Sequence, residues 1–267
     1  MEEIIEKIID EEDLRKPEVL HLLGGIIEEM HLGKIRLAEK QGDLWKVNKW
    51  VIDSINYYFL AKKIIGNSAF GFDKENMQFK IDWLKMRGVR ALEGALVRSG
   101  AYIAPGVVLM PSFVNIGAYV DEGSMIDTWA TIGSGAQIGK RCHISGGVGI
   151  GGILEPIQEK PVIIEDDCFI GSRCVIAEGV HIAEAAVLGA GVILTGSTKI
   201  FDVNKPHQNA TYGYVPPRSV VIMGSKEKTF PGGKFNIPCA IILGERTENT
   251  DKKISLNETL RKYDISK

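Results

Sequence analysis

The sequence predicts an α+β chain: a helical N-terminal domain, then a solenoid of stacked short strands, then a short C-terminal segment of strand and helix. Three observations predict it. Apolar spacing changes near residue 100 from helical to a period of six. Neither a helix nor an isolated strand accounts for that period, whereas a chain wound into stacked coils does. Many of the 30 glycines crowd into the same middle stretch.

Residues 1 to about 66 read as helical. IIEKIID, VLHLLGGIIEEM and WKVNKWVIDSINYYFLAKKII carry apolar residues at helical spacing. KIRLAEKQGDLWKVNKWV (34–51) is read as part of this helical run. Trp50, Ser54, Tyr57 and Tyr58 fall on neighbouring turns, a stripe expected in the core rather than around a cofactor. NSAFGFDKEN (67–76) has loop composition. The helical domain is placed at 1–99, the solenoid at 100–202 with an interrupting loop at 151–162, and the C-terminal segment at 203–267.

The repeat is read from two series. Val108, Val114, Val120, Ile126, Ile132, Ile138, Ile144 and Ile150 are six apart, and so are Ile164, Ile170, Ile176, Ile182, Leu188, Leu194 and Ile200. They are out of phase by two, so GGILEPIQEKPV (151–162) interrupts them as a loop. Two residues before each apolar position stands a compact one, such as Ala118, Ser124, Ala130, Cys142, Cys168 and Cys174. Glycine often follows the apolar residue, as in Ile132-Gly133 and Leu188-Gly189, where it is expected to serve turns of positive φ. Each six-residue unit is a short strand plus a turn, and three units make a triangular coil with the apolar residue inside. The pattern resembles the left-handed parallel β-helix, and the handedness comes from that resemblance. After Ile200 the register ends; SVVIMG and IPCAIIL are the clearest later strands, and ISLNETLRKYDI reads as a closing helix.

Composition excludes several classes. The net charge of −2 over 267 residues gives no electrostatic case for nucleic acid or an anionic membrane. No apolar run approaches the ~20 residues of a membrane span. The acidic N-terminus is not a signal peptide, so a cytoplasmic protein is expected. The four cysteines form no C-x-x-C, and three of them occupy compact inward positions, so no metal site is signalled. GGVGIGGI (146–153) lacks the strand–helix context of a dinucleotide loop.

The stretches MPSFVNIGAYVDEGSMIDTWATIGSGAQIGK (110–140), SGGVGIGGILEP (145–156), IIEDDCFIGSR (163–173), GYVPPRSVV (213–221) and the segment 34–51 resemble the 2,3,4,5-tetrahydropyridine-2,6-dicarboxylate N-succinyltransferase family. The resemblance runs from about residue 34 to Leu243. It implies succinyl transfer from succinyl-CoA, a co-substrate rather than a resident cofactor, to the amine of L-2-amino-6-oxopimelate in diaminopimelate and lysine synthesis. It also implies a homotrimer with active sites between adjacent β-helices, the loop at 151–162 reaching a neighbour. By the same resemblance Asp127, in MIDTWA, binds the amine and is the catalytic candidate, and Arg90, in MRGVRALEG, binds a substrate carboxylate. Gly189 and Lys199 are the candidate contacts for coenzyme A, with Lys205, Lys226 and Lys228 as further cations. The family carries a glutamate two residues after the arginine of its IGAR stretch, where this chain has Val175; either that glutamate is dispensable, or Glu178 or Asp127 does its work, or the activity has drifted.

Simpler readings stand beside these. Asp127 follows Ile126 at a turn, where Asp is common in any case. His143 is either a base or a turn histidine, and single lysines are usually solvated. An acyltransferase with another donor, such as acetyl-CoA, shares the repeat. A β-helix carbonic anhydrase needs three histidines around zinc, and only His143 and His181 lie in the coils. A non-catalytic scaffold would not require the helical domain, loop and motif set together.

Overall fold

The computed structural model describes residues 2–5, 13–67, 71–77, 79, 88–205 and 209–246. From Arg90 onward, two-residue strands follow one another and stack into three parallel sheets. Tyr119–Val120 lies between Tyr102–Ile103 and Gln137–Ile138 in one. Met125–Ile126 lies between Val108–Leu109 and His143–Ile144 in the second. Thr131–Ile132 lies between Phe113–Val114 and Gly149–Ile150 in the third. The chain visits the three faces in turn and closes one coil in 18 residues, as from Val120 to its partner Ile138.

Period six follows from this geometry. The second residue of each strand points inward: Val120, Ile126, Ile132, Ile138, Ile144, Ile164, Ile170, Ile176, Ile182, Leu188 and Leu194 are fully buried. Burying each such side chain stabilises the fold by roughly 1.5–3 kcal/mol. Ala118, Ser124, Ala130, Ala136, Cys142, Cys168, Cys174 and Ala186 fill the corners and are buried as expected. Backbone N–H groups bond to the coil above, as Asp127 N to Ile144 O at 2.9 Å.

The register differs from expectation at its start. Leu109, not Val108, is the fully buried partner of Ile126. The inward series begins Ala91, Val97, Ile103, Leu109, and the step from Leu109 to Val114 is one residue short, through Pro111. The coils therefore start at Arg90 rather than at residue 100. Glycine also acts differently from expectation. Positive φ falls three residues after the inward residue, at Gly106, Gly117, Gly123, Gly135, Gly147, Gly179 and Gly191. Gly133, Gly139 and Gly171, directly after it, do not have positive φ; they are small because the next coil's backbone is too close, 2.4 Å from a Cβ at Gly133.

The N-terminal part is less helical than expected. Helices Pro17–His31 and Lys49–Ala61 pack together through Leu23, Ile26, Ile27, Ile52, Ile55 and Tyr58. Ser54 and Tyr58 of the aromatic stripe are buried, and Trp50 and Tyr57 flank that core. Residues 34–48 are not helix: Ala38–Gln41 and Leu44–Val47 form a hairpin. Gly42, at φ 62, makes its two-residue turn, and a polar–apolar alternation suits a ribbon. Ile64–Asn67 and Gly71–Lys74 form a second hairpin where a loop was expected. The interrupting loop belongs partly to this domain. Ile153 and Leu154 join its core with Ile116.

Beyond Leu194, Tyr214–Val215 and Ser219–Phe230 take the next rungs. Ser219–Phe230 pairs with Gly233–Glu245 as one long antiparallel hairpin, and Ile200–Asp202 adds parallel to its return strand. The expected closing helix lies outside the described residues.

Candidate active site

Asp127 opens the corner between the Met125–Ile126 and Thr131–Ile132 faces. Asn115, Asp121 and Asp127 each follow an inward residue, and the Oδ1 of each accepts the next backbone N–H, at 2.8, 2.8 and 2.6 Å. The turn role of Asp127 is therefore real. Thr128 Oγ1 also donates to Asp127 Oδ1, at 3.2 Å. This leaves Oδ2, which faces Gly146: a Cβ there would stand 4.0 Å away. Asp127 is half-buried, so one carboxylate oxygen is fixed by its turn and the other is presented over a bare glycine.

Two further residues complete this edge, and the sequence reading did not single them out. Trp129 and Arg173 occupy the positive-φ position of their corners, with φ 62 and 63, where Gly147 stands on the coil between them. Gly147 N donates to Thr128 O at 2.9 Å and Arg173 N to Gly146 O at 3.1 Å, which makes these three adjacent rungs. The Arg173 side chain lies across Gly147, because a Cβ there would meet its Cδ and Nε at 2.8 Å. An exposed guanidinium and an exposed indole thus flank a glycine floor beside Asp127. The signal that would have found them is the glycine rule itself: a bulky residue at a position that favours glycine.

The remaining candidates spread along the prism. Gly189 lies on the same edge as Asp127, three rungs on through Ser145 and Gly171, about 14 Å at ~4.8 Å per rung. Arg90 is exposed at the start of the Met125–Ile126 face, two rungs before Met125. Lys199 is elsewhere. It precedes the strand Ile200–Asp202 and lines a cavity of about 630 Å³ with Phe201, Tyr212, Lys226 and Lys228. Lys226 stands 4.4 Å from the Phe201 ring centre, whereas Lys205 pairs with Asp202 at 3.4 Å.

Val175 points outward between Gly149 and Ile193 and is 41% exposed. Glu178 is at the opposite edge of that face, two coils beyond Asp127, and accepts from Gly196 N at 3.0 Å. The two carboxylates cannot meet within one chain. His143 stacks on Phe169 at 5.0 Å, on the face that leads to Asp127. His181 is on another face, bonded to Glu165 at 3.1 Å. The two coil histidines are therefore not partners, and among the described residues no three His, Cys, Asp or Glu side chains gather as a metal site.

A second polar centre ties the N-terminal hairpin to the prism. Glu165 is buried and accepts from Trp45 Nε1 at 2.8 Å, Lys40 Nζ at 3.1 Å and the Glu184 N–H at 3.2 Å. Burial pushes its pKa up, but donors from Trp45, Lys40 and His181 outweigh that and hold it below the usual carboxylate value. Nearby, Arg36 stacks on Tyr119 at 3.6 Å and donates to buried Gln137 at 3.0 Å.

Triangular coils of parallel strands, with a carboxylate exposed over glycine on one edge, define the class: a hexapeptide-repeat transferase fold. A family model described as the hexapeptide repeat of succinyl-transferase matches residues 161–196, and one described as the tetrahydrodipicolinate N-succinyltransferase N-terminal domain matches residues 1–60. Proteins named 2,3,4,5-tetrahydropyridine-2,6-dicarboxylate N-succinyltransferase are similar along the chain. The one from Wolbachia pipientis wMel is 53% identical over 88% of this chain and 87% of its own. The one from Rickettsia typhi is 46% identical over 97% and 96%. The chain belongs to the 2,3,4,5-tetrahydropyridine-2,6-dicarboxylate N-succinyltransferase family. A Campylobacter jejuni crystal structure bearing a 2,3,4,5-tetrahydropyridine-2-carboxylate N-succinyltransferase name superposes with TM-score 0.53 at 15% identity, over 83% of this chain and 62% of that one. It supports the fold alone.

Proposed function

We propose that the protein transfers the succinyl group of succinyl-CoA to the amine of ring-opened tetrahydrodipicolinate, in diaminopimelate and lysine synthesis. The observation that carries this is identity of 46–53% to relatives of that name over most of the chain. The acceptor amine is protonated in water, and an ammonium is not a nucleophile. Asp127 Oδ2 takes its proton while the Thr128 bonds hold Oδ1 in place. The C–N bond forms at the thioester carbonyl, the nitrogen gives up its second proton to solvent, the C–S bond breaks, and coenzyme A leaves as thiolate, which needs little help at a thiol pKa of about 8.5. The two acceptor carboxylates call for cations: Arg90 is one, and the Arg173 guanidinium is closer along the edge to Asp127.

Val175 supplies no second carboxylate, and Glu178 reaches an Asp127 site only from a second copy. That separation, with the exposed apolar residues Leu96, Val175 and Ile193 on the intervening face, supports a homotrimer with sites between prisms. Gly189 on the Asp127 edge and Lys199 beside Lys226 and Lys228 are read as contacts along coenzyme A. A biosynthetic role with no described helix long and apolar enough to cross a membrane supports a cytoplasmic enzyme.

Thiol release from succinyl-CoA, followed with a disulfide dye, tests the reading. The four cysteines are buried, so the dye sees the product thiol. Acceptor-dependent release from succinyl-CoA, absent with acetyl-CoA and at least about 100-fold slower in Asp127→Asn, is expected. No acceptor-dependent release with either donor sinks it.

A further inference from the structure

Trp129 stands apart from every other aromatic residue of the prism. It is 74% exposed and makes no ring or cation contact among the described residues. Its φ of 62 is in the left-handed region, where a bulky side chain is disfavoured. Gly94, Gly147 and Gly191 take positive φ at the equivalent place on this edge. Among the described residues, then, the indole is unpartnered, and with Arg173 it is one of two side chains on this edge held at a φ that favours glycine. A residue held against the preference of its own backbone is a sign of a site.

Its surroundings define the ligand. Near it is Asp127; on the next coil Gly146 presents bare backbone to Asp127 Oδ2, and the Arg173 side chain lies across Gly147. An exposed indole on the same corner as Asp127, with the bare backbone of Gly146 on the next coil, suits a slim, uncharged chain of methylene and amide groups. The acceptor has only three methylenes, set between an amine, a ketone and two carboxylates. The donor's pantetheine arm, which ends at the thioester, is a longer uncharged run with two amides.

We propose that Trp129 covers the thioester end of the acyl donor and sets its carbonyl over Gly146, within reach of the amine held at Asp127. This rests on the succinyl-transfer reading above. Trp129 is a binding and positioning residue; it moves no proton.

Trp129→Gly and Trp129→Phe separate this role from a structural one. With saturating acceptor, Trp129→Gly should raise KM for succinyl-CoA about tenfold or more, with Trp129→Phe in between. The acceptor KM should stay within about twofold, and the urea midpoint of Trp129→Gly should equal or exceed the wild type's, because glycine relieves the φ. An unchanged donor KM, or a rise confined to the acceptor KM, overturns the proposal. So does a fall in sedimentation mass in Trp129→Gly, which would make the indole a subunit contact. Coenzyme A quenching of indole fluorescence gives an arm independent of turnover. The quench should be present in wild type and lost in Trp129→Phe, over the constant background of Trp45, Trp50 and Trp83. Wild type that does not turn over succinyl-CoA yet shows the quench refutes the succinyl reading and leaves the proposal standing; no quench overturns the proposal.

Discussion

Replacing Gly133 by alanine probes how tightly the coils stack. Gly133 has no positive φ, so alanine meets no conformational penalty there. Its Cβ, however, would come within 2.4 Å of Gly151 C and Gly152 N and 2.6 Å of Ile150 O. Carbon contacts settle near 3.5–4.0 Å, so the next coil must move by about 1 Å. Those atoms are backbone and cannot swing aside. They are tied by Gly133 N to Ile150 O at 2.9 Å and Gly151 N to Ile176 O at 2.7 Å. A shift of that size takes the first bond past the useful range and compresses the second, on the far side of the displaced coil. One hydrogen bond at about 1 kcal/mol, added to an overpacking cost of about 1–3 kcal/mol, gives a loss of about 2–4 kcal/mol. Gly149, on the same face one coil on, is the control: nothing lies within 4 Å of its Cβ, and its φ is not positive. Gly149→Ala should be neutral or stabilise by about 0.4–1 kcal/mol. Urea unfolding followed by circular dichroism reads both. Two variants within about 1 kcal/mol of each other would refute close stacking as the reason for glycine after the inward residue.

The register at the start of the prism is checked by a neighbouring pair. Leu109→Ala should cost about 2–5 kcal/mol and Val108→Ala less than about 1 kcal/mol by urea unfolding, because Leu109 is fully buried and Val108 faces outward; the reverse order would restore the expected series through Val108. The Glu165 centre has a defined pH signature. Its folded pKa is depressed, so its contribution is present above the unfolded value of 4.5 and is lost as pH falls through the folded one. Wild type should exceed Glu165→Gln by about 1–3 kcal/mol at pH 7, with the gap closing below pH 4.5 as Lys40, His181 and Trp45 lose their charged acceptor. A gap that does not change with pH means the ionised carboxylate is not what those donors hold.

The six-residue period, the buried column from Val114 to Leu194, the corner cysteines and the interrupting loop were all legible in the sequence, because inward residues of a stacked coil must repeat with the coil. The start of the coils was not. Pro111 shortens one corner by a residue, and a single deletion shifts every earlier assignment by one, as Val108 and Leu109 show. The hairpin at 38–47 was read as helix because Ile35, Leu37, Leu44, Trp45 and Val47 suit either structure; the bonds of Lys40 and Trp45 to Glu165 on the prism favour the ribbon. Asp127 was singled out through its motif, and the structure places its Oδ2 over Gly146; Trp129 and Arg173 were not singled out, since their place depends on which position of the coil takes positive φ.

Local repetition thus determined the architecture from sequence alone: a prism whose interior accepts one branched residue every sixth position and whose corners accept little more than alanine or cysteine. The tertiary structure decided what faces what. Stacking put Asp127 over Gly146 and Arg173 across Gly147, set Glu178 on the opposite edge, and locked Ile153 and Leu154 into the N-terminal core. Residues far apart in the chain became neighbours across rungs about 4.8 Å apart, and only once the number of residues in every corner was known did their order on each edge follow.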